Sequence, residues 1–266
     1  MSGRVITLTT DFGLKDPYVA EMKATILTIS PDARIVDITH LVEKYNIDMG
    51  AYILTVSSPY FPRSTIHVAV VDPGVGSKRR AILIETKKSY FVGPDNGLLA
   101  LAAENEGIVK MYRITNEALM LFEISSTFHG RDIFASAAGH LSSGIDPVEF
   151  GPEIRSIMKR RYVKIKRDRH TLTGRIIHID DFGNIVTNLK MEDIESSGLS
   201  RMIVVEFEDA RLEARMCRVY SEAKEHEALA LVGSHNLLEI SVNRGNAARA
   251  FRVNVGEKIS VYRRSH

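Results

Sequence analysis

Ile66-His67-Val68-Ala69-Val70-Val71-Asp72-Pro73-Gly74-Val75-Gly76 reads as a buried strand that runs into a polar turn. A short run rich in β-branched residues suits a strand covered on both faces. Asp-Pro-Gly cannot continue it. The same pattern stands earlier in the chain, where residues 5–10 form an apolar strand closed by Asp11-Phe12-Gly13. Pro17 then opens a helix over residues 18–29, proline being tolerated in a first turn. A strand over 35–38 and a helix over 47–56 lead into the quoted stretch. Strands over 81–84 and 90–92 follow it, then a helix over 97–104, a strand over 109–112 and a helix over 131–141. Strands alternating with helices predict a sheet covered on both faces.

The rhythm changes near residue 160. Short alternating strands are expected at 174–179, 185–188, 203–207, 212–216, 229–232, 237–242 and 258–262, with one helix over 191–196. Such spacing predicts a small barrel or sandwich. The expected architecture is an N-terminal α/β domain, residues 1–158, with a central, mostly parallel, Rossmann-like sheet. A small C-terminal β-barrel domain, residues 159–266, follows it.

Composition narrows the function classes. The 266 residues are 44% hydrophobic and 26% charged with a net charge of +2, which gives no basic surface for nucleic acid. The cluster Lys159, Arg160, Arg161, Lys164, Lys166, Arg167 and Arg169 alternates with Tyr162, Val163 and Ile165 and reads as a polar edge strand or linker. No apolar run approaches the ~18 residues of a membrane helix. Cys217 is the single cysteine, so a disulfide within the chain and a paired-cysteine zinc site are both excluded. A reducing, cytoplasmic setting without a leader peptide is expected. The absence of glutamine and tryptophan leans toward a thermophilic source.

Chemistry is expected at the carboxyl ends of the strands. Asp11 is placed to accept hydrogen bonds from a sugar diol, or to cap a helix. Asp72 shares its loop with Arg79 and Arg80, a carboxylate and guanidiniums that can hold a small polar species or simply pair. His129, between Phe128 and Gly130, is suited to proton transfer at neutral pH, or to a capping turn. In the second domain Asp180-Asp181-Phe182-Gly183-Asn184 offers an amide for a purine edge and a ring for stacking, or a plain turn. Gly233-Ser234-His235-Asn236 offers donors for a carboxylate, or another turn. No GxGxxG or GK[ST] motif accompanies these loops.

Taken in order, Thr10-Asp11-Phe12-Gly13, Val71-Asp72-Pro73-Gly74-Val75-Gly76, Gly93-Pro94-Asp95-Asn96-Gly97-Leu98-Leu99, Thr127-Phe128-His129-Gly130-Arg131-Asp132, Asp180-Asp181-Phe182-Gly183-Asn184 and Val242-Asn243 with Gly245 resemble the S-adenosylmethionine (SAM) hydroxide adenosyltransferases. These are adenosine-forming SAM hydrolases related to the fluorinase and chlorinase. The resemblance spans nearly the whole chain. It implies an α/β domain followed by a β-barrel, assembled as a homotrimer with each substrate held between two subunits. It implies no cofactor and no metal, with SAM and adenosine as the ligands. Asp72, Arg79 and His129 would position and activate water, with Arg80 the alternative to Arg79. Asp11 would hold the ribose hydroxyls, Tyr45 would wall the ribose, and Phe128 would line the same site. Phe182, Asn184 and the backbone near Val242 would contact adenine. Asp180, Ser234 and Glu239 would hold the amino-acid end, and His235 stands where the halogenating relatives carry an arginine.

Two departures separate the chain from the fluorinase pattern. A halide-holding tyrosine and serine there match Asp72 and Gly130 here, and the long loop inserted after the second motif is missing. A carboxylate ~4 Å from a halide costs roughly 4 kcal/mol at an effective dielectric near 20, whereas it suits water. Hydrolysis is therefore expected. A SAM-dependent halogenase and a non-catalytic adenosine- or SAM-binding protein are the alternatives.

Overall fold

The structure, a computed structural model, describes residues 4–160, 165–168, 171–199 and 201–263. Two compact units divide the chain, Met1–Arg160 and Arg161–His266.

The first unit holds six strands, β1 (Val5–Thr10), β2 (Arg34–Thr39), β3 (Ile66–Val70), β4 (Ala81–Thr86), β5 (Tyr90–Pro94) and β6 (Ile108–Arg113). Their order in the sheet is β2-β1-β3-β5-β4-β6. The three pairings from β2 to β5 are parallel, and the two that add β4 and β6 are antiparallel. Helices α1 (Tyr18–Ile29), α2 (Ile47–Ser57), α3 (Ala100–Glu106) and α4 (Ser136–Ser142) complete the unit. Strand alternation explains why β3 reads as apolar throughout. Ile66, Val68 and Val70 join Ile6, Leu8, Met22, Ile26 and Phe134 in one core, while Ala69 and Val71 join Ala51, Leu54 and Leu99 in another. Each fully buried Leu or Ile contributes roughly 1.5–3 kcal/mol. His67 is the polar exception on the strand. Its Nδ1 lies 2.8 Å from Thr7 Oγ1, and its ring stacks on Phe91 with centroids 5.0 Å apart. Burial, helped by the charge of Lys88, pushes its pKa down to about 3, so the ring is neutral.

Two helices depart from the sequence expectation. The third begins at Ala100, not at 97, because Gly97 adopts φ +95° and Asn96 Oδ1 accepts from Leu98 N at 3.2 Å, which together make a turn. The helix expected over 131–141 opens as a π-helical turn, Gly130–Ala135, before α4 begins.

The second unit is a closed barrel. Its strands are β7 (Lys166–Asp168), β8 (Thr171–Ile179), β9 (Ile185–Lys190), β10 (Met202–Glu206), β11 (Arg211–Met216), β12 (Ala228–Val232), β13 (Leu237–Val242) and β14 (Lys258–Arg263). Seven run in the order β14-β10-β11-β12-β13-β9-β8, and β14 pairs back onto β8 to close the ring. Closure removes the exposed sheet edge. Leu172, Ile176, Ile185, Leu189, Ile203, Val205, Leu238, Ile240, Ile259 and Val261 fill the interior. Helix α5 (Met191–Ser197) falls where the sequence suggests, while α6 (Ala247–Phe251) is too short to leave a periodic signal. In the basic stretch, β7 is an exposed short strand on β8. Residues 161–164 and 169 of that stretch lie outside the described residues. Among the described residues no helix is long and apolar enough to cross a membrane.

Candidate active site

Strands β1 and β3 are parallel neighbours with Thr10 opposite Val70, so Asp11 and Asp72 leave the sheet side by side at its carboxyl edge. A cleft of about 210 Å³ opens there, lined among others by Asp11, Lys44, Tyr45, Asp72, Phe128 and His129.

Arg79 links two residues of the cleft lining, Asp72 and His129. Its Nε donates to Asp72 Oδ1 at 3.2 Å and its Nη2 to Asp72 Oδ2 at 2.5 Å. The same Nη2 lies 3.0 Å from His129 Nδ1. A guanidinium only donates, so Nδ1 accepts, and the proton of the neutral ring lies on Nε2. The Asp72 and Arg79 side chains are only 5% and 8% exposed, which strengthens their attraction. Phe134 lies beneath the guanidinium, 5.2 Å from the ring centroid. Burial, and then the Arg79 charge, holds the His129 pKa below the usual histidine range, against the opposing pull of Asp72 and Asp132. His129 is therefore neutral at neutral pH.

The loop carrying these groups is fixed from within. Ser77 Oγ donates to Gly74 O at 2.6 Å and accepts from Arg79 N at 3.2 Å. Gly76, at φ +75°, lies so close to Ser126 O that a Cβ there would overlap it.

Asp11 is nearly buried, and its Oδ2 accepts from Tyr45 N at 2.9 Å. Tyr45 holds φ +65°, a costly backbone for a residue with a side chain, and keeps its ring in solvent. Phe128 packs edge-on against Phe12 and Tyr18, with centroids 5.6 and 5.1 Å away, while Arg131 covers its ring at 5.2 Å.

The barrel carries the remaining candidates. Asp180 Oδ1 accepts from Phe182 N at 3.0 Å and from Asn184 N at 2.8 Å, and its Oδ2 accepts from Asn184 Nδ2 at 2.8 Å. Asp180 thus shapes the loop and turns the Asn184 amide so that its oxygen faces away from that bond. Phe182 stands 78% exposed on the same loop, with its ring open to solvent. Glu239 accepts from Tyr220 Oη at 3.0 Å. Burial and the nearby Asp180 charge raise the Glu239 pKa, and burial with Glu239 pushes Tyr220 up to about 12. Ser234 is exposed on the turn before β13, and Val242 ends that strand.

Residues 6–151 match the profile of the SAM hydroxide adenosyltransferase N-terminal domain, and residues 174–260 that of its C-terminal domain. The chain belongs to the SAM hydroxide adenosyltransferase family. It is 38% identical to the (R)-S-adenosyl-L-methionine hydrolase of Methanocaldococcus jannaschii over 97% of this chain and 95% of that one. The enzyme of the same name from Thermus thermophilus is 34% identical, over 95% and 97%. A fluorinase from Nocardia brasiliensis is 24% identical, over 97% and 96%. The crystal structure of an uncharacterised conserved protein from Thermotoga maritima aligns with a TM-score of 0.93 at 36% identity, covering 97% of this chain and all of that one.

In this SAM hydroxide adenosyltransferase it is Arg79, not Arg80, that meets Asp72 and His129. Arg80 turns away to Asp95, its Nε 2.7 Å from Oδ2, and to Ser156 O at 2.9 Å. Sequence reasoning passed over Lys44, whose Nζ donates to the Asp11 carbonyl, and Asp16 and Tyr18, which also line the cleft. It passed over the fully buried Asp132 as well. This carboxylate accepts from Ser125 N at 2.8 Å and Arg131 Nε at 2.7 Å, and so anchors the segment leading to Phe128. No spacing rule brings Lys44 to Asp11. Asp132 was visible only as part of a motif.

Proposed function

We propose that the chain hydrolyses SAM to adenosine and methionine by attack of water at the ribose C5′. Family membership supports the reaction. The Arg79 fork on Asp72, with a third bond to His129, beside the Asp11 that lines the same cleft as both partners, is the observation that carries the mechanism. The oxygen of water forms a bond to C5′ as the C5′–S bond breaks. The bonding pair passes to sulfur, and methionine leaves as a neutral thioether. The departing group needs no acid, so the protein has to place water and accept its proton. His129 Nδ1 is already occupied by Arg79, which leaves Asp72 as the acceptor, through the lone pairs its bonds to Arg79 leave free. His129 holds the guanidinium in line, and the guanidinium stabilises developing hydroxide. The relatives' name specifies the (R) sulfonium, and the same epimer is our assignment for this chain.

Asp11 holds the ribose hydroxyls, beside the Tyr45 wall. Asn184 and Phe182, with the backbone near Val242, take adenine. Asp180, Ser234 and Glu239 serve the amino-acid end, Asp180 through the loop it shapes. The first unit's cleft is smaller than the ~300–1,000 Å³ of a complete small-molecule site. That supports a homotrimer in which a neighbouring copy completes each site. The setting is cytoplasmic and reducing, with the lone Cys217 buried and free.

Chromatography of (R)- and (S)-SAM incubated with the protein tests the reading. Adenosine and methionine are expected in equal amounts, faster from the (R) epimer. Recovery of both epimers intact after prolonged incubation sinks it. A halide-dependent 5′-halo-nucleoside product would instead make the chain a halogenase.

A further inference from the structure

Beneath the Asp11 loop lies a buried histidine that the mechanism does not use. His40 is 3% exposed, and its Nδ1 is 2.8 Å from Thr10 Oγ1. Its Nε2 lies 3.1 Å from Asp37 Oδ1, too poorly aligned for a hydrogen bond, so that contact is electrostatic. Asp37 in turn pairs with Lys23 Nζ at 2.6 Å. On the other side, Thr10 Oγ1 accepts from Phe12 N at 3.2 Å. One arrangement of protons satisfies the bonds at Thr10 and leaves Nε2 facing a charge. The Nε2 proton faces the Asp37 carboxylate, Nδ1 accepts from the Thr10 hydroxyl, and that hydroxyl accepts from the Phe12 amide. The backbone adds two further ties, from Gly13 N to His40 O at 2.7 Å and from Val42 N to Thr10 O at 3.3 Å.

A carboxylate, an imidazole and a hydroxyl in this order have the composition of a nucleophilic relay. Thr10 is fully buried and its oxygen is engaged on both sides, so it reaches no substrate. What the chain of bonds does reach is the backbone on either side of Asp11. We propose that His40 is a positioning residue, which through Thr10 fixes the backbone that aims the Asp11 carboxylate at the ribose. The proposal rests on the ribose role given to Asp11 above. A loop held from one side by Tyr45 N, and from beneath by His40, leaves Asp11 little freedom to lose when ligand binds.

The test compares His40→Leu, His40→Asn and Thr10→Val. Leucine fills the space without an acceptor, asparagine restores an acceptor near Nδ1, and valine removes the hydroxyl at constant shape. With (R)-SAM, KM is expected to rise about three- to tenfold in His40→Leu and in Thr10→Val, with kcat changed less than twofold. The double variant His40→Leu/Thr10→Val should be no worse than either single one, and His40→Asn should recover most of the loss. Hydrogen exchange of the Phe12 and Gly13 amides in the ligand-free protein is read alongside, and should quicken in the same two single variants. This readout needs no turnover, so a wild-type protein inactive on SAM defeats the proposed reaction and leaves the positioning role to be judged on exchange alone. Unchanged KM and unchanged exchange in both single variants, or a fall in melting temperature with neither readout moved, overturns the proposal.

Discussion

Arg79 hydrogen-bonds both Asp72 and His129, and its planar fork is what allows one side chain to do so. A lysine carries the charge on a single nitrogen and cannot hold both partners in one plane. Arg79→Lys is therefore expected to lower kcat at least about 100-fold, with circular dichroism and nucleoside affinity near wild type. Retention of more than half of the activity would remove the fork from the mechanism. The depressed pKa of His129 gives a second expectation. Acidification through that lowered value places a proton on Nδ1 and sets two cations against each other. Activity should hold steady as pH falls through the usual histidine range, about 6.5, and be lost only below it. The same group contributes stability above its unfolded value, and that contribution is lost as pH falls toward the folded one. A pH–kcat profile with its acid limb at or above the usual histidine value contradicts this.

At the scale of elements, the loop 72–79 works because its backbone passes hard against Ser126. Gly76→Ala puts a methyl group onto that carbonyl in a backbone that disfavours it, and should cost about 1–3 kcal/mol of stability with loss of turnover. Urea denaturation measures the first and adenosine release the second. A neutral effect on both would mean that the contact does not hold the loop. The strands on either side were legible because burial on two faces leaves a continuous apolar run, as in Val68 to Val71. The π-helical turn at Gly130–Ala135 was not legible, since one extra residue per turn leaves the apolar pattern of a helix almost unchanged over six positions. α6 was missed for the opposite reason, being shorter than two turns. At the site, Asp11 and Asp72 announced themselves by standing where strands stop, and His129 by standing where a helix begins. The choice of Arg79 over Arg80 rests on which way two adjacent side chains leave the backbone, which one-dimensional spacing does not encode.

At the scale of the whole molecule, the candidates fall into two groups on different compact units, Asp11, Asp72, Arg79 and His129 on the first and Asp180, Phe182 and Asn184 on the second. If sites are shared between copies of a homotrimer, two dead variants should rescue each other. Asp72→Ala and Asn184→Ala, each nearly inactive alone, are expected to regain a substantial fraction of wild-type activity when refolded together. Sedimentation of the wild type should give three times the 29.7 kDa of one chain. Failure of rescue between two variants that both assemble would place each site within a single chain.

The first unit's cleft is lined by three carboxylates, Asp11, Asp16 and Asp72, and one cation, Lys44, with Arg79 bonded to Asp72. A sulfonium substrate arrives carrying a positive charge, and both products leave without it. With SAM in this cleft, as proposed above, the attraction that draws it in would be extinguished by the reaction itself, a means of clearing the site that requires no moving part. Added salt should slow capture of SAM while leaving the escape of adenosine unaffected.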